Sequence, residues 1–262
     1  MNHCLIMGFG RSGTSLMGGI LHHSGYFLGD NLYPPRESNP LGFFENDTIN
    51  GINEAILAAY DQVRRESSGK DPDDLPRSPF NPGYGQRWLS YIEPGLAIEC
   101  ADADIVSRIR SVVAAPGFAY KDPRFNYTLP VWDPLLPGGC VKICMFRHPD
   151  VTVESVIRDC ATAPYLQGFE ISREMIYLLW ENSYRRVLGY QQSGFGVGLI
   201  FVHYEQLLTR EKLPFISSRL GKGLDDSFIT PELSRSKPNS VTPAGAAEVY
   251  RELCHLAGYK TA

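Results

Sequence analysis

A glycine-rich loop between an apolar run and a helical pattern constrains the fold of this chain more than any other feature. The apolar run Cys4–Phe9 predicts a buried strand, and the pattern over Thr14–His23 predicts a helix. The segment GFGRSGTS, from Gly8 to Ser15, joins the two. In α/β folds such a loop presents backbone N–H groups and the positive end of a helix dipole to an anion. The loop therefore predicts an α/β fold with an anion site after its first strand.

Two more apolar runs, Val141–Phe146 and Leu199–Tyr204, lack polar alternation, and Phe118–Lys121 is a shorter candidate of the same kind. Strands covered on both faces have this pattern. Because helical patterns separate the strands, we expect a three-layer α/β fold with a central, mainly parallel sheet flanked by helices. Asp47 is expected to cap a helix through Tyr60. Further helices are predicted over Ile105–Val113, Pro149–Ile157, Ser172–Gln192 and Thr242–Gly258.

The chain length fits one large domain or two small ones, and we expect a single domain over residues 1–262. The stretch Arg64–Arg87 contains four prolines with charges and glycines between them, which indicates a long surface excursion within that domain. Six cysteines are present without a CxxC pair, so we expect reduced, buried thiols and no metal site built on them.

The charge balance excludes a general nucleic-acid binder, because 25 Lys and Arg residues stand against 29 Asp and Glu residues. Any anion site must therefore be a local pocket. No apolar stretch approaches the ~20 residues of a membrane span. The first residues lack the charged leader and cleavage site of a signal peptide, so a cytoplasmic location is expected.

The loop fits three interpretations. Gly8, Gly10 and Gly13 form GxGxxG, and Asp30 follows at the distance of a ribose-binding acid, as in dinucleotide-binding proteins. The same glycines have the GxxxxG spacing of an ATP or GTP loop, but Thr14 stands where its lysine should be. The third interpretation rests on RSGTSLM, which begins at Arg11 and resembles the phosphosulfate loop of sulfotransferases that use 3′-phosphoadenosine 5′-phosphosulfate (PAPS).

A second anion motif follows the apolar run VKICMF. Arg147 stands at the carboxyl end of the predicted strand, where α/β proteins bind ligands. A helix beginning near Asp150 would bring Ser155 round to the same side after about a turn and a half. A guanidinium fork with a nearby hydroxyl suits a phosphate monoester, and the pair resembles the 3′-phosphate motif of the same sulfotransferases.

Four further segments resemble this family. They are NPLGFFE at Asn39–Glu45, KDPR at Lys121–Arg124, YEQL at Tyr204–Leu207 and a late basic loop at Ser234–Lys237. The likeness is closer to the tyrosylprotein, carbohydrate and bacterial branches than to the cytosolic steroid and phenol branch. The resemblance implies that PAPS is the sulfuryl donor and that adenosine 3′,5′-bisphosphate (PAP) is the product. Because a sulfuryl group carries less charge than a phosphoryl group, we expect that no metal is required.

The resemblance also assigns roles to individual residues. It implies that Arg11, Ser12, Gly13, Thr14 and Ser15 bind the 5′-phosphosulfate, that Arg147 and Ser155 bind the 3′-phosphate, and that Tyr204 and either Arg235 or Lys237 contact the nucleotide.

Catalysis needs stabilisation of the transferring group, for which Arg11 and Lys121 are the candidates, and removal of the acceptor proton. Glu45 is the first candidate for the general base and Asp30 the second. A small-molecule, carbohydrate or lipid hydroxyl is the expected acceptor. A P-loop kinase that uses ATP and a non-catalytic nucleotide-binding relative are the alternative functions.

Overall fold

A four-stranded parallel sheet lies at the centre of the part of the chain that the structure describes. The structure is a computed structural model that describes residues 1–37, 39–68, 82–92, 95–100, 102–166, 171–191, 193–230 and 241–260. The strand order is β2-β1-β3-β4, and each neighbouring pair is parallel. The strands are β1 (Cys4–Met7), β2 (Ala119–Lys121), β3 (Val141–Phe146) and β4 (Leu199–His203). The predicted three-layer α/β fold is confirmed.

The strands are apolar throughout because both faces of the sheet are covered. Side chains alternate between the two faces along each strand, so Leu5 and Met7 enter one core while Cys4 and Ile6 enter the other. Helices on both sides complete these two cores. They are α1 (Thr14–His23), α2 (Asp47–Ser68), α3 (Ala103–Val113), α4 (Phe125–Trp132), α5 (Pro149–Thr162), α6 (Arg173–Tyr190), α7 (Tyr204–Leu208), α8 (Leu213–Leu220) and α9 (Ala244–Ala257).

The element boundaries differ from the prediction where local chemistry intervenes. Strand β1 ends two residues early because Gly8 turns the chain with φ 137°. Strand β4 ends at His203, since Tyr204 is the first residue of α7. Helix α2 does begin at Asp47, but its capping side chain belongs to Asn46, whose Oδ1 accepts the Ile49 N–H at 3.2 Å. The prediction that Asp47 caps this helix is therefore wrong.

The predicted excursion over residues 64–87 lies partly outside the described residues. No helix in the described ranges has the length and apolar character needed to cross a membrane. All six cysteines are free thiols, four of them buried and two half-buried. The predicted burial therefore holds for four of the six, and the burial of half-buried Cys160 is enough to raise its pKa to about 11.

Candidate anion-binding cleft

The carboxyl ends of all four strands open onto one cleft of about 540 Å³. In parallel sheets, ligands bind at this edge, where the chain leaves neighbouring strands in different directions. The cleft is lined by nine of the residues that the sequence singles out, namely Arg11, Gly13, Thr14, Ser15, Glu45, Lys121, Arg147, Ser155 and Tyr204.

The glycines of the loop after β1 are required by close contacts within the protein. A Cβ atom on Gly8 would lie 2.2 Å from the Met145 carbonyl oxygen. One on Gly10 would lie 2.4 Å from the Trp88 ring, and one on Gly13 would lie 2.5 Å from Tyr204. The sequence interpretation assigned these glycines to a close approach to phosphate, and the structure adds that each makes room for a protein group.

Ser12 faces the core rather than the cleft. Its side chain is buried, and its Oγ lies 2.9 Å from the Tyr184 hydroxyl. The same hydroxyl accepts the Phe9 N–H and lies 2.7 Å from the Met145 carbonyl oxygen. Tyr184, on α6, thus connects the loop to β3, and the Ser12 hydroxyl is the side-chain group of the loop that it contacts.

The N-terminus of α1 has no side-chain cap among the described residues. Gly13 occupies the N-cap position in the left-handed region, with φ 92° and ψ 11°. The first N–H groups of a helix have no partner within the helix and favour an anion. Thr14 and Ser15, on the first turn, line the cleft beside these groups.

Arg11 connects the loop to helix α5. Its backbone is left-handed, with φ 68°. Its Nε donates to Ser155 Oγ at 3.0 Å and lies 3.3 Å from Asp159 Oδ2. Ser155 was predicted to act with Arg147, but in this structure its described hydrogen bond is to Arg11. Burial raises the pKa of Asp159, against the opposing charge of Arg11.

Arg147 lies over the ring of Tyr204, with its guanidinium carbon 4.4 Å from the ring centroid. The same ring packs against Gly13. Burial chiefly lowers the pKa of Arg147, and the nearby charge of Arg11 acts in the same direction. Tyr204 therefore separates the loop after β1 from the guanidinium after β3.

Lys121 and Glu45 form an ion pair inside the cleft. Glu45 also accepts a hydrogen bond from Asn50 Nδ2 at 2.9 Å, and Lys121 Nζ lies 3.5 Å from Ser15 Oγ. Burial lowers the pKa of Lys121. Burial alone would raise the pKa of Glu45, but the charges of Lys121 and Arg124 outweigh it and lower that pKa.

The segment Asn39–Glu45 bridges this ion pair and the loop. Asn39 Nδ2 donates to Ser15 Oγ at 3.0 Å. At the other end of the segment, Glu45 directly precedes the residue that caps α2. The two polar ends of the NPLGFFE motif thus contact Ser15 and Lys121 in the same cleft.

A buried charge network fixes the segment that carries Lys121. Arg124 Nε donates to Glu54 at 2.6 Å, and its Nη1 donates to Asp122 at 3.0 Å. Glu54 also accepts a hydrogen bond from Arg87 Nη1 at 2.9 Å, while Asn53 Nδ2 donates to Asp122. These contacts satisfy the charges of Arg124, Asp122 and Glu54, all of which are almost fully buried.

Besides Ser12, one predicted residue does not line the cleft, and two more fall outside the described residues. Asp30 is exposed and is not among the residues that line the cleft. Arg235 and Lys237 lie outside the described residues, so their roles stay predictions. No cluster of three or more His, Cys, Asp or Glu side chains in the described ranges is arranged to hold a metal ion.

The sequence interpretation missed Tyr184, Trp88 and Asp159. Tyr184 and Trp88 contact the loop from distant segments, and only the tertiary fold shows this. Asp159 could have been predicted from the sequence, because it lies four residues after Ser155 and the two therefore share one face of α5.

No protein-family model matches the sequence, and no curated protein matches it either. Solved structures do match. The sulfotransferase domain from the Synechococcus PCC 7002 olefin synthase has a TM-score of 0.54 and 16% identity, over 100% of this chain and 96% of that chain. The sulfotransferase domain from the curacin biosynthetic pathway has a TM-score of 0.53 and 15% identity, over 100% and 99%. The chain therefore has the fold of these sulfotransferase domains.

Proposed function

We propose that this protein is a sulfotransferase that moves a sulfuryl group from PAPS to the hydroxyl group of an acceptor. One observation carries the proposal. The loop after β1 and Arg147 after β3 line the same cleft as the Lys121–Glu45 ion pair. Cations at two separate points suit a nucleotide with anionic groups at both ends, and a carboxylate beside a cation suits transfer to a hydroxyl.

The residues present fit PAPS. The cleft, at about 540 Å³, is within the usual range of roughly 300–1,000 Å³ for small-molecule sites. Arg11, Thr14, Ser15 and the first N–H groups of α1 would hold the 5′-phosphosulfate. Arg147 would hold the 3′-phosphate, which ATP lacks, and Ser155, whose Oγ accepts a hydrogen bond from Arg11, would orient that guanidinium.

When bound, PAPS supplies an activated sulfuryl group. The chain's own residues would orient it and neutralise the charge that develops during transfer. Arg11 and the α1 N–H groups would stabilise the departing phosphate, while Lys121 would stabilise the sulfuryl oxygens. Tyr204 would keep the two anion-binding regions apart, because its ring fills the space between Gly13 and Arg147.

Glu45 would accept the proton of the acceptor hydroxyl at one of its carboxylate oxygens. Its lowered pKa keeps it ionised at neutral pH but weakens it as a base. Lys121 could restore the basicity of Glu45 when the donor binds, because its ammonium group lies between Glu45 and Ser15. An anion bound at Ser15 would compete for that ammonium and so raise the basicity of Glu45.

The acceptor would enter past the segment Arg36–Glu45, most of which lines the cleft. Aromatic side chains from three separate segments, Tyr33, Tyr84 and Tyr165, line the cleft with it. This mixed surface suits a small-molecule, carbohydrate or lipid hydroxyl.

Ligand-dependent thermal stability tests the donor assignment. PAP should raise the melting temperature by several degrees at saturating concentration, and ATP and NAD should raise it much less. Arg147→Ala should abolish the preference for PAP over ATP. Arg219→Ala, which removes an exposed arginine on α8, should preserve it. Equal or greater stabilisation by ATP or NAD would defeat the proposal and favour a kinase or a dinucleotide-binding protein.

Sulfate transfer tests the base. Labelled PAPS incubated with an extract of the source organism would identify a sulfated acceptor. With that acceptor, Glu45→Gln should lower kcat by about 10²–10⁴-fold, as loss of a general base does. Asp30→Asn removes the other candidate carboxylate and should leave kcat unchanged, because Asp30 is exposed and does not line the cleft. The reverse result would make Asp30 the base.

A further inference from the structure

Asp159 is an acidic side chain on the wall of a cleft otherwise suited to anions. It lines the cleft, its side chain is only 7% exposed, and its Oδ2 lies 3.3 Å from Arg11 Nε. None of the donor roles proposed above requires a carboxylate there. A negative charge at this position would repel a bound phosphate, so its presence needs a separate explanation.

The partly buried charge of Arg11 supplies that explanation. Its side chain is 26% exposed and reaches from the loop to α5, where it meets Ser155 and Asp159. A guanidinium withdrawn from water is costly unless a counter-charge lies nearby. Asp159 provides that charge, and Ser155 one turn earlier on α5 accepts the hydrogen bond from the same Nε.

We infer that Asp159 acts as an internal counter-anion for Arg11, and that the 5′-phosphate end of the nucleotide displaces it from this role on binding. The inference rests on the proposed donor. Two anions close to one guanidinium share its attraction and repel each other, so Asp159 lowers the affinity of the cleft for PAP. Asp159 is thereby an affinity-determining residue that promotes release of the product.

Titration calorimetry with PAP tests this role. Asp159→Asn keeps the shape of the side chain but removes its charge, and we expect it to bind PAP about tenfold more tightly than the wild type. Asp159→Ala should also bind more tightly, which guards against an effect peculiar to the new amide. Glu154→Gln is the matched control, because it removes one charge from the same helix at a residue that pairs with Arg173 and does not line the cleft.

A second ligand locates the effect. Adenosine 3′-monophosphate lacks the 5′-phosphate, so its affinity should be the same for the wild type and Asp159→Asn. A gain for both nucleotides would mean that Asp159 acts on the cleft in general, and it would overturn the inference.

Failure of the inference and failure of the proposed function give different results. If the wild type binds PAP and the Asp159 variants bind it equally or more weakly, Asp159 merely orients Arg11 and the inference is wrong, while the donor assignment stands. If neither the wild type nor the variants bind PAP, the proposed function fails and the inference fails with it.

Discussion

Single residues in the loop after β1 show how closely its function depends on its packing. Gly8 combines φ 137° with a space too small for a Cβ atom, because the Met145 carbonyl oxygen would lie 2.2 Å away. Neither a strained backbone nor a clash with another backbone is relieved by a rotamer change. The loop cannot therefore keep its position beside β3 without this glycine.

We expect Gly8→Ala to lower the free energy of unfolding by at least about 2 kcal/mol, because strain and overpacking add. Urea denaturation would measure the loss. Gly138→Ala is the control, since no atom beyond its own residue and its two chain neighbours lies within 4 Å of its Cβ position and its backbone is outside the left-handed region. A loss of similar size at Gly138 would contradict this account.

Lys121 influences the protonation of the candidate base Glu45. Its charge and that of Arg124 lower the pKa of Glu45 against the effect of burial. Without the ammonium, burial is less opposed and the pKa of Glu45 rises. The acid limb of kcat/KM, which reports the base in the free enzyme, should therefore move to higher pH in Lys121→Met.

The same variant should reduce kcat by about 10²–10³-fold through loss of charge stabilisation. A pH–rate profile with the identified acceptor would measure both effects. Lys121→Arg keeps a positive charge, so its acid limb should lie nearer that of the wild type. An acid limb unchanged in Lys121→Met would separate Lys121 from the titration of Glu45.

The start of helix α2 positions Glu45, the candidate base. Glu45 precedes the cap residue Asn46, and Asn50 on the first turn donates to its carboxylate. Loss of the cap should cost about 1 kcal/mol, so Asn46→Ala should lower the urea midpoint. Asp47→Ala removes the residue that the sequence had suggested as the cap. It should lower the free energy of unfolding less than Asn46→Ala does. Equal losses would mean that the cap hydrogen bond does not stabilise α2.

Elements with a continuous apolar run or a strong apolar period could be predicted from sequence, and three short helices could not. Helix α1 and strand β3 have their predicted bounds, because a continuous apolar run or a glycine turn fixes them locally. Helices α4, α7 and α8 were missed. Helix α4 contains Pro130, and α7 has only five residues, so neither presents a clear period.

The order of the strands in the sheet explains which site residues lie close together. Strands β1 and β3 are hydrogen-bonded neighbours, so the loop after one lies beside the helix after the other. The sequence could place Arg11 in the loop after one strand and Ser155 on the helix after another, but their 3.0 Å contact depends on this order. Adjacency of strands is a property of the fold, and spacing along the chain does not encode it.

The buried network of Arg124, Asp122 and Glu54 joins the segment after β2 to α2. Removing one partner of a buried pair leaves an uncompensated charge, so Arg124→Met should cost about 3–5 kcal/mol of unfolding free energy at pH 7. Arg185→Met is the control, because Arg185 pairs with Glu181 and Glu248 at the surface, where ion pairs contribute about 0–1 kcal/mol.

The pH dependence of that loss identifies its cause. Burial alone would raise the pKa of Glu54, but the charge of Arg124 and hydrogen bonds from Arg87, Gly85 and Arg124 lower it. Burial already raises the pKa of Asp122. Without Arg124 both folded-state pKa values rise, so the folded variant takes up protons as the pH falls from 7 to 5 and is stabilised relative to its unfolded state. The difference in the free energy of unfolding between variant and wild type, measured by urea denaturation, should therefore become smaller toward pH 5. A difference independent of pH would mean that lost packing, and not the two carboxylates, destabilises the variant.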